Sequence, residues 1–377
     1  MNEDIYGFRH PVIDVKSCSG CSLCMLTCPV ISDVSVERFK AVDVYAGWSL
    51  KDSIRTDSSS GGLFSELAEA VMQSGGKVFA ATFDKNFKLL HREVVDSTDL
   101  AAFRGSKYLQ GVCDEVYTQI ATYLKQRVPV MFVGLPCQVA GLYGFLGGDN
   151  PNLLTCDLVC HGAPSQKIFD DYLLYLKNNG LSGFIGIDFR ERQTSGRKTT
   201  IIYAKPEKNM WLNGTYDYYQ QAFMRNLISR NSCYSCKFAR IPRIGDITLG
   251  DYWGIGFKKP FFYDITKGVS LVITNSLKGN DILNKYKRLL FLEKRTIDEA
   301  VTKNPRVYKA SNGDAGERQR FLADLQSMSI THLVQKYRLY PRLSFASRLR
   351  SYVKTMLGDR LVNTIRAVLK KRALRRI

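Results

Sequence analysis

Nowhere in the 377 residues is there a run of 18 apolar side chains, so no membrane-spanning helix is expected. The start, Met1-Asn2-Glu3-Asp4, is polar and lacks the apolar segment of a secretory leader. Without a leader, ten cysteines point to a reducing, cytoplasmic compartment, where thiols hold metals rather than pair as disulfides. Acidic side chains are scarce in one region only. From Lys336 to Ile377 there are thirteen Lys or Arg and a single acid, Asp359. The formal charge of +19 is thus mostly a property of the tail, and it does not mark the whole chain as a nucleic-acid binder.

What is present is a globular composition, 45% hydrophobic and 24% charged, long enough for two or three domains. Its most specific feature is Cys18-Ser19-Gly20-Cys21-Ser22-Leu23-Cys24-Met25-Leu26-Thr27-Cys28-Pro29. This is C-x2-C-x2-C-x3-C-P, the bacterial ferredoxin run for iron–sulfur clusters. Thiolates at such short spacings can converge on one cubane from a tight loop, which Gly20 lets fold back and Pro29 ends. A zinc knuckle fits less well, because zinc sites usually use two separated C-x2-C pairs. In two-cluster ferredoxins the fourth cysteine of the run ligates the other cluster. No second run of this kind exists here. Partners for Cys28 would come from elsewhere in the fold, from another protein, or be missing.

Residues 1–35 read as the cluster module, with a short strand over Tyr6-Gly7-Phe8 and Pro11–Asp14 leading into the cysteine loop. Residues 36–56 read as a connection. Ser58-Ser59-Ser60-Gly61-Gly62 is then a small-residue loop before a helix with Leu63, Leu67, Ala70 and Val71 on one side. Free N–H groups at such a helix start suit a phosphate, although an ordinary N-cap has the same composition. Lys77–Phe83 is a buried strand and Leu89–Val95 its hairpin neighbour. Gly105-Ser106-Lys107-Tyr108 is a second loop that could face a cofactor or simply solvent. Residues 113–126 are helical.

Pro129–Gly134 is a buried strand running into Leu135-Pro136-Cys137-Gln138 and a helix to about Phe145. The dipole at that helix start favours a thiolate at Cys137, as a nucleophile or a cluster ligand; a structural cysteine is the alternative. Leu153–Cys160 reads as another strand, with Cys156 and Cys160 on one face. A helix follows over Gln166–Leu176. Strands are expected at Phe184–Arg190 and Lys198–Ala204 around Thr194-Ser195-Gly196, and a helix over residues 217–229. Cys233-Tyr234-Ser235-Cys236 is a C-x2-C pair. Asp246–Gly254 is a strand and turn, Gly268–Thr274 a strand, and residues 277–288 a helix. The recurring strand–loop–helix order points to an α/β fold with function at the carboxyl ends of strands. Leu349, Val353, Met356, Leu357, Leu361, Ile365, Val368 and Leu369 recur at helical spacing among basic residues, a pattern suited to an anionic membrane surface, a partner, or simply a cover over its own domain.

Taken in order, the motifs resemble the coenzyme F-420 hydrogenase/dehydrogenase beta-subunit family of flavin and iron–sulfur reductases. The resemblance covers most of residues 4–256. It rests on Asp4-x-x-Gly7-Phe8-x-x-Pro11-x-Ile13-Asp14, Ser60-Gly61-Gly62 and Gly105-Ser106-Lys107-Tyr108. It rests further on Gly134-x-Pro136-Cys137-Gln138, Cys160-His161-Gly162-x-Pro164-Ser165, Cys233-x-x-Cys236 and Gly250-Asp251-Tyr252-Trp253. It implies a 4Fe–4S ferredoxin-type module (1–35), two parts of a mixed α/β flavin-binding unit (36–127 and 128–330) and a basic helical tail (331–377). It implies FAD near Ser60, Gly61, Gly62, Gly105, Ser106, Lys107 and Tyr108. Cys137, Cys160, Cys233 and Cys236 would form one complete cluster site beside the run of Cys18, Cys21, Cys24 and Cys28, leaving Cys113 and Cys156 spare. Two departures stand out: only half of a two-cluster ferredoxin is present, and little after Gly256 matches.

The activity implied is an electron relay from a ferredoxin-like donor or partner subunit, through 4Fe–4S clusters, to FAD and on to a small acceptor such as coenzyme F-420. A flavin is needed because clusters move one electron at a time. Lys107 could balance charge on the reduced flavin. No residue is singled out as catalytic, and the substrate is not named by any motif. The alternatives are a non-catalytic electron-transfer subunit, or an accessory protein of surface-polysaccharide synthesis docked at the inner membrane face by its tail.

Overall fold

An eight-stranded mixed sheet organises the chain, and its middle strands are the apolar runs picked out above. The computed structural model describes residues 1–193, 196–212, 217–311 and 313–339. Ten strands matter here: β1 (Asp43–Ser49), β2 (Lys77–Phe83), β3 (Leu89–Glu93), β4 (Val130–Gly134), β5 (Leu153–Leu158), β6 (Phe184–Gln193), β7 (Gly196–Tyr203), β8 (Ile247–Asp251), β9 (Ser270–Thr274) and β10 (Leu290–Arg295). The large sheet runs β10-β1-β9-β8-β5-β4-β2-β3. Strands β8, β5, β4 and β2 are parallel neighbours, and antiparallel strands flank them on both sides. The sequence's α/β class is therefore the observed one. The same sheet takes strands from either side of the 127/128 boundary.

Both faces of the parallel strands are covered, which is why their sequences are nearly all apolar. Alternation sorts the side chains. Val78, Ala80, Met131, Val133 and Leu154 pack on one face with α1 (Leu63–Gln73). Phe79, Val130, Phe132 and Leu153 pack on the other with α2 (Val116–Lys125) and α3 (Pro136–Leu146). A second core forms around the β6–β7 hairpin, with α4 (Gln166–Asn178), α5 (Tyr218–Met224), α6 (Ala315–Ser327) and α7 (Ile330–Lys336). Phe169, Tyr172, Phe189 and Tyr219 are fully buried there.

Several expectations need correction. Residues 36–56 are more than a connection, for β1 lies inside the sheet between β9 and β10. Gly47 interrupts its apolar alternation, and the strand is buried on both faces, so neither strand pattern is legible. Pro11–Asp14 forms no strand. Instead Asn2–Glu3 pairs with Arg9–His10 across a turn in which the Asp4 carboxylate accepts from the N–H groups of Tyr6 and Phe8, each at 2.9 Å. Strand β5 ends at Leu158, so Cys160 lies in the following loop, while Cys156 is sealed in the core. The helix expected over 217–229 is the shorter α5. The tail boundary at 331 falls inside α7, whose Leu333 and Val334 belong to the second core. The remaining tail, 340–377, and the hairpin tip at Thr194 and Ser195 lie outside the described residues.

Candidate functional site

Parallel strands present their carboxyl ends on one edge, and a cavity of about 270 Å³ opens there. It is lined from the ends of β4, β5 and β8 and from the 58–62 and 104–109 loops. Those two loops touch: the Ser106 N–H donates to Ser59 Oγ at 2.9 Å. Ser60 reaches the other way, its hydroxyl donating to the Val269 carbonyl at 2.9 Å. Gly62 starts α1 at φ +88, a conformation a side chain would resist, and no side chain caps that helix. Gly62, Leu63 and Phe64 line the cavity, so the uncapped first turn borders it. Gly61 stands behind the wall. Its N–H donates to Ser270 Oγ at 2.8 Å, and a Cβ there would come within 2.4 Å of the Gly47 carbonyl.

Lys107 also lines the cavity. Its Nζ donates to the carbonyls of Arg104 at 2.7 Å and Phe103 at 3.2 Å, at the end of a short helix. Burial pulls its ammonium down to about 8, with Asp188 opposing. An anion in the cavity would reverse that penalty. The Tyr108 ring stacks on Phe223 at 4.4 Å. Sequence reasoning missed His91, Gln138, His161, Arg190 and Trp253 as lining residues. His161 and Trp253 follow closely after the ends of β5 and β8, which was the available signal for them. Gln138 is a structural member: it accepts from the Leu135 N–H and donates to the Gly111 carbonyl, both at 2.8 Å. Arg190 pairs with Asp251 on the cavity wall. The His161 ring lies 4.8 Å from Trp253, and burial pushes its imidazole down to about 4.

Four cysteines far apart in the chain interact electrostatically beside this cavity. Burial pushes the Cys137 thiol up to about 12, and Cys233 and Cys236 add to the effect. The expected lowering by the helix dipole is overridden, because desolvation of a neutral-to-anionic thiol outweighs it. Cys137 is nevertheless exposed, so it lines a recess rather than a packed core. Cys160 is likewise raised by burial, then by Cys233 and Cys137. The loops carrying Cys160 and Cys233 are stapled together, the Arg230 N–H donating to the Ala163 carbonyl at 3.0 Å. Cys233 feels Arg230 and Arg318 favourably, and Cys160 interacts with Arg306. Among the described residues no three His, Cys, Asp or Glu side chains already stand at metal-binding distance. Cys113, taken as spare, sits 3.3 Å from His91 Nδ1 and also faces Cys137 electrostatically.

The amino-terminal run forms an open loop. Cys18, Cys21 and Cys24 are exposed and Cys28 is half-buried. Hydrogen bonds from the Leu23 backbone and the Ser19 side chain lower the Cys21 thiol. The loop rests on the helix that begins at Cys137: a Cβ at Gly144 would lie 2.4 Å from the Thr27 carbonyl. It also meets the segment after Cys236, where Lys237 Nζ donates to the Ser32 carbonyl at 3.1 Å. The two cysteine sets are therefore neighbours through α3 and through Lys237.

Residues 129–300 match the family model that describes the carboxyl-terminal part of the coenzyme F420 hydrogenase/dehydrogenase beta subunit. Comparison with curated proteins gives no match. A solved structure described as xenon derivatization of the F420-reducing NiFe hydrogenase complex from Methanosarcina barkeri is similar at 18% identity and a TM-score of 0.48. The alignment covers 79% of this chain and 91% of that one.

Proposed function

We propose that the chain is an iron–sulfur flavoprotein passing electrons from a ferredoxin-like donor or partner subunit to a small acceptor, a reading supported by the match of residues 129–300 to the model of the coenzyme F420 hydrogenase/dehydrogenase beta-subunit carboxyl terminus. One observation carries the reading: four thiols from three separate segments lie close enough to interact electrostatically, beside a cavity bordered by both predicted flavin loops. The donor set fits a cluster. It is all sulfur, it lies in a recess, and Arg230, Arg306 and Arg318 offset the negative charge that four thiolates would bring. Cys137, Cys160, Cys233 and Cys236 would hold this 4Fe–4S cluster, and Cys18, Cys21, Cys24 and Cys28 a second one.

The cavity fits FAD in its chemistry. The uncapped start of α1 and the Ser59/Ser106 contact suit a pyrophosphate, and Lys107 and Arg104 supply positive charge. When bound, a flavin exchanges electrons singly with clusters and in pairs with an organic acceptor. The chain's own part is to hold these groups side by side and keep water out. Lys107, returned to full charge by an anion beside it, would counter negative charge gained on reduction.

Anaerobic purification with iron, sulfide and flavin quantified per chain tests the proposal. About eight irons and one flavin are expected, and about four irons after C233S. Protein with neither iron nor flavin would refute it. An isolated chain that loads both groups yet reduces no acceptor would be a transfer subunit rather than a complete reductase.

A further inference from the structure

The segment from Phe257 to Lys267 leaves the cavity wall just after Trp253 and turns its apolar side chains outward. Phe262 is 86% exposed, Phe257 64% and Ile265 52%. Such exposure is usually a sign of a loose loop, but this backbone is held from beneath. Buried Arg55 donates to the carbonyls of Asp264 at 2.7 Å and Gly268 at 3.0 Å, with its guanidinium 4.0 Å over the Trp48 ring. Buried Arg295 donates to the carbonyls of Lys259 at 2.6 Å and Pro260 at 3.3 Å. Phe261 turns inward against Trp48, and Trp48 stacks on Phe291 at 3.8 Å. Two desolvated cations and an aromatic stack thus fix a loop whose tip leaves a phenylalanine in water. Ordering it brings no burial for that tip, so the tip is organised for something outside the chain.

We propose that the 257–267 loop is a docking element for an anionic lipid surface. The occupant follows from the charges. Exposed Lys258 and Lys259 and half-buried Lys267 share the loop with the apolar tip and with one acid, Asp264, which accepts from Thr266, and exposed Lys303 places its Nζ 4.3 Å over the Phe257 ring. The partners of Lys258 and Lys267, Asp298 and Asp52, are themselves exposed, so these pairs are weak and open to exchange. Protein interfaces are depleted in lysine, whereas surfaces that enter the headgroup region combine lysine with aromatic and aliphatic side chains. Eleven Lys or Arg after residue 339 add basic charge to the same chain. Docking would bring the chain next to Trp253, which lines the cavity, towards the bilayer.

The test uses the full chain with vesicles of phosphatidylcholine alone or mixed with phosphatidylglycerol. Partition onto the mixed vesicles should fall about tenfold in F257S/F262S/I265S, with unchanged circular dichroism and iron content. In F262W, the added indole should shift to the blue on mixed vesicles and be quenched by brominated lipid beyond the wild-type background. Wild-type-like partition of the triple variant would assign binding to the basic tail and overturn the proposal. So would an unquenched F262W. Absence of vesicle binding together with capture of a stable protein partner through these three side chains would overturn it in favour of a protein interface.

Discussion

Asp217 sits under α5 with its Oδ2 accepting from Thr199 at 3.0 Å, while Oδ1 has no hydrogen-bond partner among the described residues. Burial raises its carboxyl to about 7, against the Thr199 hydrogen bond. The folded chain therefore keeps a proton there that the unfolded chain loses near pH 4. Between those values the unfolded state binds fewer protons, so stability falls as pH rises and the loss is complete above about pH 7. D217N should flatten this slope: its melting temperature should exceed wild type most at pH 8, and the gap should narrow steadily down to about pH 4. Equal slopes in both proteins would show that Asp217 is ionised in the fold. No pattern in the sequence marks this residue, because its burial depends on the second core closing over it. Lys107 differs, since its loop was legible, although its seat on the Phe103 and Arg104 carbonyls was not.

At the scale of elements, α3 couples the two cysteine sets. It starts at the Cys137 turn and carries, two turns on, the glycine against which the Thr27 carbonyl rests. G144V should push the amino-terminal loop off this helix while leaving the sheet intact. On the proposed reading, iron should fall from about eight to about four per chain with flavin retained. Iron unchanged at about eight would mean the loop assembles its cluster without α3. The long helices and the middle strands were readable because period and burial agree. Strand β1 was not, since a glycine breaks its alternation and its partners β9 and β10 lie more than two hundred residues downstream.

For the molecule as a whole, Arg243 and Asp157 form a buried lock between β5, the segment before β8 and the chain near Val307. The Arg243 Nε donates to Asp157 at 3.0 Å, and its other nitrogens donate to the carbonyls of Val307 and Leu158 at 2.8 and 2.9 Å. Both side chains are almost wholly excluded from water. R243M leaves an unpaired buried carboxylate and should cost about 3–5 kcal/mol in urea unfolding, part of it recovered in R243M/D157L. A double variant no more stable than R243M would show that the pair acts through geometry rather than charge.

The candidate ligands of this protein were legible in its sequence. Cysteine spacing, small-residue loops before helices and apolar runs are local patterns, and local backbone geometry makes them readable. What only the tertiary structure decided is adjacency. Cys137, Cys160, Cys233 and Cys236 belong to one helix start and two loops, and whether they approach depends on parallel strands ending on one edge. The same holds for Ser59 and Ser106, for Gly144 beneath Thr27, and for the two arginines holding the 257–267 loop. Each contact is closed by packing between residues far apart in the chain, and spacing along a sequence carries no record of it.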